Sequence, residues 1–68
     1  ITLPYEMPTQ ILIYDVQGRL VETLLNNYHM TAGSHVIKWN GERFSSGIYF
    51  VRVQTPMSTD VRKAYLVK

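Results

Sequence analysis

The sequence predicts an all-β domain, a small antiparallel β-sandwich of about six strands. Three observations lead there. Apolar runs are short, rich in Ile, Val, Tyr and Phe, and bounded by Gly, Pro, Asn and Ser clusters. The 3.6-residue periodicity of an amphipathic helix is missing almost throughout. The whole chain is 68 residues, which allows one domain at most, with short links between its elements.

Each element can be justified in turn. "ITLPYE" carries Pro4, which cannot donate to a ladder, so this is an edge or irregular strand. Pro8 reads as punctuation after it. "TQILIYDV" is the clearest early strand. Ile11 and Ile13 point one way, and Leu12, Tyr14 and Val16 the other, so one face is core and the other partly covered. "DVQG" turns the chain: the Asp15 carboxylate can accept backbone N–H bonds and Gly18 supplies a positive φ. A type I turn with a Gly bulge is expected. "RLVETLL" is the return strand. Val21 and Leu24 break strict alternation, and a bulge between them would restore both to one face. A short helix over "RLVETLLNNY" is the alternative pattern.

"NNYHMTAGS" reads as a loop. "HVIKWNG" is the next strand, with His35, Ile37 and Trp39 on one face and Val36 and Lys38 on the other. "NGERFSSG" connects to "IYFVRVQ", where Tyr49, Val51 and Val53 alternate. "TPMSTD" turns the chain into the last strand, "VRKAYLVK".

Composition narrows the function classes. Net charge is +2, and the seven basic residues are scattered rather than set in a stripe with stacking partners, which argues against nucleic-acid binding. There is no cysteine, so no disulfide scaffold. No signal peptide and no apolar run of membrane-spanning length is present. The five acids fall on different elements, with no converging pair for glycoside hydrolysis. His29 and His35 lack further ligands at zinc-site spacing. The serines sit in turns, and the glycines are spread one per turn rather than gathered into a phosphate loop. No enzyme and no cofactor is expected.

Tyr28, Trp39, Phe44, Tyr49, Phe50 and Tyr65 could form a sugar-stacking platform. Their ordinary use is to fill a small core. Phe50 and Tyr65 are the two expected on an outer face.

"SSGIYFVRV", Ser45 to Val53, resembles the tyrosine corner of fibronectin type III sandwiches, where the ring packs inward and the hydroxyl bonds to upstream backbone. Tyr49 is then a fold landmark rather than a ligand contact, beside Asp15, Gly18 and Trp39.

Four segments in order and spacing resemble a known family. They are "IYDVQGR" at 13–19, "AGSHVIKWNG" at 32–41, "SSGIYFVRV" at 45–53 and "KAYLVK" at 63–68. Together they are similar to the C-terminal sorting domain of the type IX secretion system, and to the related immunoglobulin-like domain of flagellar hook-capping proteins. The resemblance implies an immunoglobulin-like or fibronectin type III-like antiparallel sandwich of six to seven strands, spanning 1–68 at the C-terminal end of a larger secreted protein. It implies no catalysis. The domain would direct its attached cargo through the periplasm and across the outer membrane to the cell surface. Its partners would be the translocon and a sortase-like enzyme, with self-association through strand edges also expected. The family motifs fall on Gly47, Tyr49, Lys63 and Lys68. Two other readings are an immunoglobulin-like accessory or spacer module, able to bind carbohydrate, on an extracellular enzyme, and a hook-capping-like structural domain.

Overall fold

The computed structural model of the chain describes residues 1–67. All of its regular structure is β. The strands are β1 (Thr2–Leu3), β2 (Met7–Tyr14), β3 (Leu20–Met30), β4 (Gly33–Ser34), β5 (Gly47–Gln54) and β6 (Thr59–Leu66). A four-stranded antiparallel sheet has the order β3-β2-β5-β6, and β1 and β4 form a second, two-stranded sheet. The domain is a small sandwich with one large layer and one small one.

The core follows from β2, the strand with a neighbour on each side. Ile11 and Ile13 on its inner face are almost wholly buried, with Thr9 beside them. Leu12, on the other face, is also buried, because its register partners Thr23 and Arg52 flank it. Leu3 of β1 meets Met7 and Met30, with Leu25 packed against them, and this contact joins the two layers.

The hairpin after β2 has the expected form. Gly18 N donates to the Asp15 carbonyl at 3.0 Å, Asp15 N donates to the Arg19 carbonyl at 3.0 Å, and Gly18 has φ of 81°. That is a type I turn followed by a left-handed glycine, the bulge geometry that matches strand twist.

Three expectations need correction. Pro8 does not punctuate the chain but lies inside β2, opposite His29. The β2–β5 ladder reaches only to Gln10–Gln54, so Pro8 has a neighbouring strand on one side alone, where a missing N–H is tolerated. The segment 26–30 is not loop but the continuation of β3. Bulges hide it: the register slips between Thr9 and Ile11, between Ile11 and Leu12 and between Ile13 and Tyr14, and Asn27 takes a φ of 58°. No helix forms at 19–28. Finally, "HVIKWNG" is not a laddered strand. Only Gly33–Ser34 pairs with β1, and the pairing ends where His35 and Ile1 exchange backbone bonds of 2.7 and 3.1 Å. The expected faces survive, since Val36 is 87% exposed while Trp39 is half-buried.

Candidate functional site

Two regions carry the residues singled out in the sequence. The first is the corner before β5. Tyr49 is 8% exposed, and its hydroxyl donates to the Ser45 carbonyl at 2.7 Å. Its ring meets Trp39 edge-on at 5.1 Å between centroids, and Phe44 lies 5.4 Å from Trp39 and 6.3 Å from Tyr49. The aromatic trio therefore pins the crossover 39–45 onto the start of β5. Offset and edge-on ring pairs of this kind add to simple burial. Gly47 opens β5 opposite Leu66, with φ of 155°. Gly41 is buried because Leu66 of β6 fills its face: a Cβ there would lie 2.7 Å from Leu66 Cδ1. Glu22 of β3 adds an ion pair to the same crossover, with Arg43 Nη2 at 3.5 Å.

The second region is the outer face of the large sheet. Directly paired residues share a face. Lys63, Phe50, Tyr14 and Leu20 thus form one row, and Val61, Arg52, Leu12 and Thr23 the next. Tyr65 stands beyond Lys63, opposite Ile48, and is 68% exposed. Phe50 and Tyr65 lie outward, as expected, whereas Trp39, Phe44 and Tyr49 are inside. Tyr28 is exposed on β3, apart from both groups. Lys63 is exposed at the edge strand; Lys68 lies outside the described residues.

Asp15 and Gly18 form the turn at the same end of the sheet as the Tyr49 corner. Tyr14 pairs with Phe50, and Asp15 and Arg19 line a shallow cleft with Gly47 and Tyr49, although the hydrogen bonds of the Asp15 carboxylate stay within its own turn. The Asp15 carboxylate accepts from Gln17 N at 2.9 Å, Arg19 N at 3.0 Å and Arg19 Nε at 2.9 Å. The bond from the Arg19 amide is the main reason its pKa lies below the ordinary carboxylate range. The histidines are separate: His29 Nδ1 is 3.9 Å from Glu6, and His35 Nε2 is 2.7 Å from the Thr31 carbonyl.

The structure thus brings Gly47, Tyr49 and Trp39 to one corner. It leaves Lys63 on a different face. Sequence reading missed Phe44, Gly41 and Leu66 as parts of that corner. The only local signal was the spacing of Trp39, Gly41 and Phe44, which does not reveal the long-range partner Leu66.

No curated protein and no solved structure matches the chain. A family model does, over residues 1–68. It covers the paired sheets, the Asp15–Gly18 hairpin and the tyrosine corner together, and on that match the chain belongs to the secretion system C-terminal sorting domain family.

Proposed function

We propose that this domain is a non-catalytic address at the C-terminal end of a larger protein, which it directs across the outer membrane by the type IX secretion system. The cargo would pass through the periplasm and finish in the medium or at the cell surface. The observation that carries the reading is the family match over 1–68. Translocon and sortase-like components are the partners it implies.

The sorting candidates divide by role. Tyr49 and Gly47 set the shape of the corner, so their contribution to sorting is indirect. Lys63 offers a charge on an exposed edge strand beside Phe50 and Tyr65, where a receptor could reach it. Lys68 is a candidate of the same kind by residue type. A second reading, an accessory module that stacks on sugars, is favoured by the outward placement of Phe50 and Tyr65. It requires carbohydrate affinity that falls when those rings are removed.

The deciding experiment is localisation. The domain is joined to the C-terminus of a periplasmic fluorescent reporter and expressed in a type IX-competent bacterium and in its translocon-null mutant. Export only in the competent strain is the expected result. Periplasmic retention in both strains would overturn the sorting reading.

A further inference from the structure

The segment Val36–Asn40 is a strand without a ladder. It continues β4 with no turn or bend before Glu42. Its side chains alternate as in a half-buried strand, with Ile37 and Trp39 inward and Val36 and Lys38 outward. Yet among the described residues none of its backbone groups bonds to another backbone group. Unpaired backbone in an extended segment is a template for another strand.

The existing register says where that strand would lie. Thr2 pairs with Ser34 and Leu3 with Gly33, and Ile1 exchanges both backbone bonds with His35. In an antiparallel pair the bonded positions alternate. The N–H and C=O of Ile37 and Trp39 therefore point to the same side as those of His35. They face the line along which β1 would run if extended backwards from Ile1. Beneath that line is an apolar cleft of about 200 Å³, lined by Ile1, Ile11, Leu24, Ile37, Trp39 and Val51 among others. Trp39 Nε1 is buried without an acceptor among the described residues.

We propose that Val36–Asn40 is a receiving edge for an added β-strand, and that the occupant is the polypeptide joined to the Ile1 nitrogen in the protein that carries the domain. A strand in that place continues the β1–β4 ladder without a break, and its covalent tie raises its effective concentration far above that of a free peptide. Residues at the second and fourth positions before Ile1 pair with Ile37 and Trp39. Their side chains lie on the same face as Ile1 and Leu3 and cap the cleft. This rests on the sorting reading only in taking the domain to be attached to a cargo. Functionally, the junction with the cargo becomes part of the sandwich rather than a free tether.

The test compares backbone amide exchange in three proteins. One is the chain as it stands. One carries Val-Thr-Val-Thr joined to Ile1, which puts valine at the second and fourth positions. One carries Pro-Thr-Pro-Thr, which cannot enter a ladder there. The valine extension is expected to slow exchange at Ile37 and Trp39 by on the order of tenfold over both others. Val36 and Lys38, which point to the other side, should not change. A valine-extended chain that gains no protection at Ile37 and Trp39 over the other two overturns the inference, whether or not Ile11 and Ile13 of β2 are protected. Protection that appears in the unextended chain and grows with protein concentration also overturns it, by giving the edge to a second copy. The measurement needs no secretion machinery, so failure here and failure of the reporter to be exported are separate results.

Discussion

Tyr49 stabilises through both ends of one side chain. Its ring packs on Trp39 and Phe44, and its hydroxyl closes the turn on the Ser45 carbonyl. Tyr49→Phe keeps the first and removes the second, leaving a carbonyl to find water. The expected cost is about 1 kcal/mol in a urea unfolding curve, and an unshifted midpoint would mean that the hydroxyl bond is idle. Gly41→Ala probes the neighbouring contact. The new methyl must displace the end of Leu66, at an expected cost of about 1 kcal/mol. That cost should shrink in a Leu66→Ala background; two penalties that simply add would refute the contact. Asp15 acts through charge. Its pKa is lower folded than unfolded, chiefly through the Arg19 amide, so the folded state resists protonation. Its contribution is full above the ordinary unfolded value of about 3.9. It declines as pH falls through the lowered folded value, and is gone below both. The stability gap between the wild-type chain and Asp15→Asn should accordingly narrow as pH drops below that range. A gap that does not change with pH would contradict the assignment.

At the scale of elements, β3 depends on its bulges. Asn27 holds φ of 58°, a left-handed conformation that Asn tolerates and β-branched residues resist. Asn27→Gly should be close to neutral, and Asn27→Val should cost roughly 1–2 kcal/mol. Equal stabilities of the two would mean that no bulge sits there. The same residue shows why part of the fold was illegible in the sequence. Alternation over Gly47–Gln54 is unbroken, so β5 and its inward Tyr49 could be read directly. Asp15 and Gly18 marked their own hairpin, because a turn is local chemistry. In β3 each extra residue resets which side chains face the core, and period two disappears from the text though the strand runs on to Met30. For 35–40 the error was of another kind. Alternation told which side chains turn toward the inner cleft, where Ile37 and Trp39 stand, although Ile37 is still 37% exposed and Trp39 only half-buried. It could not tell whether the backbone finds a partner, since that depends on chain far away in sequence. The corner at Tyr49 was legible for the same local reason as the hairpin, whereas its contacts with Gly41 and Leu66 were not.

At the scale of the whole molecule, the core is thin and the large sheet has two free edges, β3 and β6. Chains of this length bury only about 60% of their unfolded surface, so stability is expected to be marginal. What keeps the β6 edge from pairing freely is where its charges sit. Asp60 and Arg62 share the inner face with their register partners Val53 and Val51, and their side chains bond to each other at 3.0 Å. An incoming strand would have to accommodate both of them, and Lys63 on the opposite face. Replacing the pair, Asp60→Val with Arg62→Val, should leave the monomer as stable or more so, because exposed ion pairs add little and valine favours strands. It should also strengthen self-association, read as a rise in sedimentation coefficient with concentration at levels where the wild-type chain is still largely monomeric. Lys63→Val should act in the same direction, from the other face. If neither variant associates more than the wild type, the β6 edge is protected by something other than charge, and the mild self-association expected of this chain must arise at β3.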